Sequence, residues 1–465
     1  MLDLALLCFV LGFLALGLRR PFVWVLAYLY IDILAPQKIG WSLTAAVPVS
    51  LIAFCAAFGG WLLADSKDGS RVTFRQGLLL ALLLYCGWTT MNADFPEFAQ
   101  EKWSWVWKAL VFAMFLPLTL RTRLRFESAL LVMVLTAGSI IINAGLKTFG
   151  GGGGYGSLYL YVNDNSGIYE SSTLATVAVA IIPLVLWLAR FGTIFPPDWR
   201  VRLFAGALIF ACLLIPIGTE ARTGLLCIAV LGLLLLRDAK RRMAYLAAGL
   251  ALVIVAVPFL PQSYYDRMAT IGEHSEDESA STRVAVWQWT LDYVAAHPTG
   301  GGFDAYRANK FTYKMPVVVK QGNTTAIEYQ DVTDHARAYH SAIFEMLGEQ
   351  GWPGLFLWLW IHALGLWQME RIRRRWRKRT APGEAWQAPL ASALQLAQIV
   401  YLIGSLFQGI AYQPFVLMLV GLQCALWSYC RRLDSPGKKP VGMRGDDQIA
   451  QPLPDAVAAG SPALR

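Results

Sequence analysis

The sequence predicts an all-α polytopic membrane protein, and three observations carry that reading. Of the 465 residues, 56% are hydrophobic and only 15% charged, with a mean hydropathy of +0.46, which is too apolar for a soluble chain of this size. Breaking the chain at its charged and Gly/Pro-rich gaps leaves about 13 apolar segments, many of roughly 17–22 residues, the length a helix needs to cross a hydrocarbon core of about 30 Å. Basic clusters then fall in every second gap: Arg19-Arg20, Lys67 to Arg75, Arg121 to Arg125, Arg190 to Arg202, Arg237 to Arg242, Arg371 to Arg379, and the tail from Arg431. By the positive-inside rule those gaps are cytoplasmic.

Taken in order, residues 1–260 read as transmembrane helices with short loops, the first two of them short. The opening Met-Leu-Asp-Leu-Ala-Leu-Leu has neither a basic leader nor a small-residue cleavage site, so it is expected to be a retained helix. Leu43–Ala64, Trp103–Leu120 and Met243–Leu260 are representative spans. Residues 261–350 form the large non-cytoplasmic loop, expected to be mainly helical; 351–430 supply the C-terminal transmembrane helices. Residues 431–465, rich in Pro, Gly and Ala and without apolar periodicity, are expected to be a disordered cytoplasmic tail. The total expected is about 12–13 transmembrane helices.

Composition also excludes classes of function. The net charge of +9 is explained by topology, because most Lys and Arg lie in cytoplasmic gaps, and no soluble basic domain exists to bind nucleic acid. All seven cysteines (Cys8, Cys55, Cys86, Cys212, Cys227, Cys424, Cys430) lie within or at the end of apolar runs, where they read as packing residues rather than disulfides or metal ligands. Only Asp32 and Lys108 look like mid-helix charges, and no internal repeat is visible, which argues against a transporter.

Chemistry is expected where ionisable residues fall on the far side, because the positive-inside rule does not account for them there. Arg222, in Gly218-Thr-Glu-Ala-Arg-Thr-Gly224, stands at a membrane boundary, as a functional cation, as a salt-bridge partner of Glu220 or as a side chain snorkelling to the interface. Arg283 and Trp287, in Thr282-Arg-Val-Ala-Val-Trp287, share a helical face at i, i+4. They are followed by His297-Pro-Thr-Gly-Gly-Gly-Phe303, a turn whose glycines allow close backbone approach. His340 opens Tyr339-His-Ser-Ala-Ile-Phe344; a helix starting near Arg337 would align Arg337, His340, Phe344 and Leu347 and turn Glu345 and Glu349 elsewhere. Read alone, that histidine is either a base or a half-buried structural residue. Of the other four, His335 reads as solvent-exposed, His274 as part of an acidic loop, His297 as a turn residue and His362 as packing.

These elements in this order resemble the O-antigen ligase and polysaccharide polymerase superfamily. The resemblance rests on Gly-Thr-Glu-Ala-Arg-Thr-Gly, Thr-Arg-Val-Ala-Val-Trp with His-Pro-Thr-Gly-Gly-Gly-Phe, and His340-Ser with Glu349-Gln-Gly-Trp-Pro-Gly354. Asp164-Asn165, before the segment Thr173–Ala189 with its Pro183, is similar to the family's Asp-Asn motif, and the whole looks closest to the exosortase-associated O-glycosylation ligases. Ala221 and Ser341 depart from the family's usual Ser and Asn.

The resemblance implies a fold like that of the C-type membrane glycosyltransferases and an active site on the periplasmic face of a bacterial inner membrane. It implies transfer of a glycan from a polyprenyl (undecaprenyl) diphosphate carrier to an acceptor hydroxyl on a glycolipid such as the lipid A-core, a protein or another glycan, with inversion. His340 would handle the acceptor proton, Arg222, Arg283 and Arg337 would hold the diphosphate, and Asp164, Asn165 and Trp287 would support them. No metal or other cofactor is expected: the early outer gap Pro36 to Trp41 has no Asp or Glu, and Asn163-Asp-Asn165 offers one carboxylate, a poor holder of a hard cation. A polymerase of repeat units and a protein O-oligosaccharyltransferase remain alternatives within the resemblance.

Overall fold

The computed structural model describes residues 2–434 apart from 41–42, 153–166, 252–264, 266–277, 322–323 and the single positions 239, 245, 248, 250, 380 and 382. In chain order its helices are α1 (Leu2–Arg19), α2 (Phe22–Leu34), α3 (Pro36–Ile39), α4 (Leu43–Ala46), α5 (Val49–Leu63), α6 (Phe74–Met91), α7 (Pro96–Thr119) and α8 (Arg123–Phe149). They continue with α9 (Ser171–Phe191), α10 (Trp199–Gly218), α11 (Arg222–Leu235), α12 (Glu278–Ala296), α13 (Ala342–Trp376), α14 (Gln387–Ser405) and α15 (Pro414–Leu433). Among the described residues, α8, α9, α10, α14 and α15 are long and apolar enough to cross a membrane, and α2, α5 and α11 are shorter apolar helices. The protein is an all-α polytopic membrane protein. Much of the predicted span Met243–Leu260, His274 and the pair Asp164-Asn165 lie outside the described residues, as does the tail beyond residue 434.

Local chemistry sets where these helices begin. Thr73 accepts from the Gln76 backbone while the Gln76 side chain accepts from the Thr73 N–H, a capping box that starts α6. Asp198 caps α10, Glu170 caps α9, and Pro96 and Pro414 occupy first-turn positions of α7 and α15, where their missing N–H costs nothing. The centre of the bundle is α9, which packs on α8, α10, α11 and α14. In its most apolar window 78% is buried, against 33% for α10, so α10 presents its flank to lipid.

The helices alternate in direction. The N-termini of α7, α9, α11, α13 and α15 therefore gather at one end, where the Tyr169 hydroxyl reaches the Leu34 carbonyl at 2.6 Å. The opposite end holds the basic loops, tied by Arg121 and Arg125 on Asp65 at 2.8 and 2.7 Å and by Arg379 on Asp434 at 2.8 Å. At the first end the sequence reading missed one element: an antiparallel hairpin of β1 (Lys310–Gln321) and β2 (Thr324–His335), in register from Lys310↔His335 to Gln321↔Thr324.

Candidate functional site

The site is built at the N-terminus of α13. A helix from Arg337 was expected, but the structure starts it at Ala342, because residues up to His335 still belong to β2 and the next five are held in an irregular strap. Asn309 clamps that strap: its Oδ1 accepts the Arg337 N–H at 3.0 Å, its Nδ2 donates to the Arg337 carbonyl at 2.6 Å, and its own carbonyl accepts from Ala336. Ala336 (φ 53°) and His340 (φ 48°) both take left-handed backbone, which no helix tolerates and which costs a non-glycine residue of order 1–3 kcal/mol. Arg337 and His340 thus do not share a helical face with Phe344.

The strap turns His340 outward, and its side chain is exposed. Next to it Tyr339 is buried, and its carbonyl accepts from Trp287 Nε1 at 2.9 Å. The Trp287 ring lies parallel to Phe344, centroids 4.9 Å apart and 3° between planes. Trp287 therefore joins α12 to both sides of His340. The pairing of Arg283 and Trp287 along α12 then brings the half-buried Arg283 near the imidazole. Desolvation by neighbouring groups, followed by the Arg283 charge, lowers the His340 pKa below its ordinary value; Glu170 opposes this and Arg337 adds to it. His340, Arg283, Arg337 and Glu170 are thus electrostatic neighbours.

Arg337 also bonds Asp334 through Nε at 2.9 Å, so part of its charge is already answered. Arg222 is the first residue of α11 and is half-buried, behind a buried Glu220 in left-handed backbone (φ 50°). Its charge adds to the positive end of the α11 helix dipole. α11 packs on α9, the helix that Glu170 caps.

A turn and a kink lock this end together. Gly351 (φ 59°, ψ −165°) interrupts α13, and Trp352 N–H donates to the Pro298 carbonyl at 3.0 Å. Gly301 and Gly302 donate to the carbonyls of Gly348 and Glu349 at 3.0 and 2.9 Å. A Cβ on Gly300 would lie 2.4 Å from the Gly351 nitrogen, and one on Gly351 would lie 2.1 Å from the Pro298 carbonyl oxygen. Two backbones meet here, and only glycine fits. His297 is the turn residue expected, its carbonyl accepting from Gly300 and its ring stacked on Tyr293. His362 is a buried packing residue beside Gln398 at 2.8 Å.

Sequence reasoning missed a charged cluster on another face of α13. Glu345 and Glu349 converge on Lys102 Nζ at 2.7 Å each, with Asp304 at 3.8 Å. Glu345 also accepts from the Ala411 N–H at 2.9 Å and Glu349 from the Asp304 N–H at 3.0 Å. Burial pushes the Glu349 carboxyl above its ordinary value, and Lys102 pulls it back. The sequence signals were Glu349 at the head of the Glu-Gln-Gly-Trp-Pro-Gly motif and Lys102 against the apolar run from Trp103.

The fold and this end of it define an integral membrane protein with a charge-rich site beside its largest described loop. Residues 205–359, which include Arg222, Arg283, Arg337 and His340, match the family described as O-antigen ligase, and residues 1–193 match a family of unknown function (DUF5935). No curated protein matches the chain. Residues 205–359 thus form a domain of the O-antigen ligase type, and that domain supports glycan transfer of the ligase or polymerase type as the general activity.

Proposed function

We propose that this protein is a metal-independent, inverting glycan ligase that moves an oligo- or polysaccharide from a polyprenyl diphosphate carrier to an acceptor hydroxyl at the periplasmic face of a bacterial inner membrane. The observation that carries this reading is His340, exposed in left-handed backbone, held by Trp287 and beside Arg283. An imidazole whose pKa is lowered is neutral at physiological pH and can accept a proton. The acceptor oxygen forms the new bond to the anomeric carbon as its proton passes to His340. The anomeric carbon–phosphate oxygen bond breaks on the opposite side, and the diphosphate leaves with the electron pair. Arg222 and Arg283 meet that charge, since guanidinium binds phosphate oxygens bidentately and stays charged. Arg337 is a lesser ligand because Asp334 holds it. Residues 261–350 then act as the loop that carries the acid–base and anchoring motifs, with Asp164 and Asn165 as further supports.

Lysine at either arginine keeps the charge and loses the fork. Arg222→Lys and Arg283→Lys are each expected to lower transfer about tenfold to a hundredfold in an assay with purified protein and lipid-linked glycan. A double lysine variant with undiminished transfer contradicts the bidentate assignment.

A further inference from the structure

We propose that a second pocket, on the face of α13 that carries Glu345, is a subsite for one neutral sugar ring of the acceptor. It is a cavity of about 300 Å³ between the start of α7, the Asp304–Arg307 turn and the loop between α14 and α15. That volume accommodates a single pyranose ring.

The lining identifies the ligand class. Trp105 and Phe98 stand at its rim, 36% and 37% exposed, and Tyr412 lies buried at its base. Arg307 covers one side of Phe98, its guanidinium 3.5 Å from the ring centroid, which leaves Trp105 as an open aromatic face for C–H groups. The polar lining has two cations, Lys102 and Arg307, and three carboxylates, Glu101, Asp304 and Glu345. With no excess of positive charge, a diphosphate is disfavoured; with this many hydrogen-bonding groups, a hydrocarbon tail is disfavoured too. A neutral, hydroxyl-rich molecule with an apolar face satisfies both limits. A larger groove between α6 and α7, lined by Leu84, Trp88 and Met91, has almost no polar surface with which to select a ligand.

The pocket adjoins the proposed reaction centre through one loop. Gln408 bonds Thr173 and Thr176 of α9, next to Glu170, while Gly409, Ile410 and Gln413 of the same loop line the pocket. Glu345 belongs to the pocket and lies one turn after Ser341, whose carbonyl accepts its N–H. Displacement at the anomeric carbon needs acceptor and leaving group on opposite sides. With Arg283 on the leaving diphosphate, the pocket beside Glu345, one turn from Ser341, is the place for the acceptor. The acceptor assignment rests on the proposed function above, whereas sugar binding as such does not.

The test has two arms. In saturation-transfer NMR on the purified full-length protein, a panel of methyl pyranosides (glucoside, galactoside, mannoside and N-acetylglucosaminide) is added in turn. The expected result is transfer to at least one glycoside that Trp105→Ala abolishes and Trp88→Ala, at an exposed tryptophan outside the pocket, preserves. No transfer to any glycoside, or equal transfer in all three proteins, overturns the subsite whatever reaction the protein performs. In the transfer assay, Trp105→Ala is expected to raise the acceptor KM about tenfold and leave the donor KM in place, with partial rescue by Trp105→Phe. A rise in the donor KM instead overturns the acceptor assignment.

Discussion

At the scale of single residues, two ionisable side chains, His340 and Lys102, solve opposite problems. His340 must be neutral to accept a proton, and desolvation, followed by the Arg283 charge beside it, favours that state. Because the base form is the active one, transfer should be full at neutral pH and fall as pH drops through a value below 6.5. Arg283→Gln removes a positive neighbour, so the His340 titration, followed by NMR of labelled histidine, should move upward toward the ordinary value. An unchanged or downward titration would show that Arg283 does not act on His340. Lys102 is the reverse case, a cation that neutralises two carboxylates largely removed from water. Glu349 is fully buried and Glu345 nearly so. Lys102→Met leaves both without a counter-charge and is expected to destabilise the protein by about 3–5 kcal/mol, read as a lower Tm in detergent. Adding Glu349→Gln should recover part of that loss, and a single variant as stable as the wild type would show the cluster to be dispensable.

At the scale of elements, the decisive contact is backbone against backbone. The turn at Pro298–Gly302 and the kink at Gly351 exchange hydrogen bonds that fix where the two arms of α13 diverge. Gly300→Ala or Gly351→Ala forces a Cβ into main-chain atoms and into positive φ, which should cost about 2 kcal/mol or more and lower both Tm and transfer. Wild-type behaviour in either variant would mean that the junction yields freely. The glycine run of this turn was legible in the sequence, because glycines after a proline have few other uses. The start of α13 was not: apolar spacing from Arg337 onward suggested a helix, and only the Asn309 clamp, from 28 residues away, explains why it begins later. The hairpin was hidden for a different reason. Gly322-Asn323 between two β-branched runs is a hairpin signal, but one that Pro316 inside the first run weakens, and the loop was expected to be mainly helical.

At the scale of the whole molecule, charge placement in the sequence and helix direction in the structure agree. Basic loops collect at one end, and Arg222, Arg283 and His340 collect at the other. Membrane class and helical architecture were therefore readable from composition and gap charge alone. The convergence of Lys102 with Glu345 and Glu349 was not, since residues more than 240 positions apart meet there only once α7 and α13 are packed in one bundle. Single cysteines placed at exposed positions test the orientation: a membrane-impermeant maleimide applied to intact spheroplasts should label Ala338→Cys and spare Ser66→Cys, and the reverse pattern would invert the topology. The central claim, that His340 activates an acceptor hydroxyl against a diphosphate held by arginine, is tested most directly by transfer in a purified system. Wild-type protein with a polyprenyl diphosphate-linked glycan and an acceptor glycolipid should form the conjugate equally with and without chelator, and correctly folded His340→Ala should lose at least about a hundredfold of that activity. Full activity in His340→Ala, or abolition of wild-type transfer by chelator, would contradict the account.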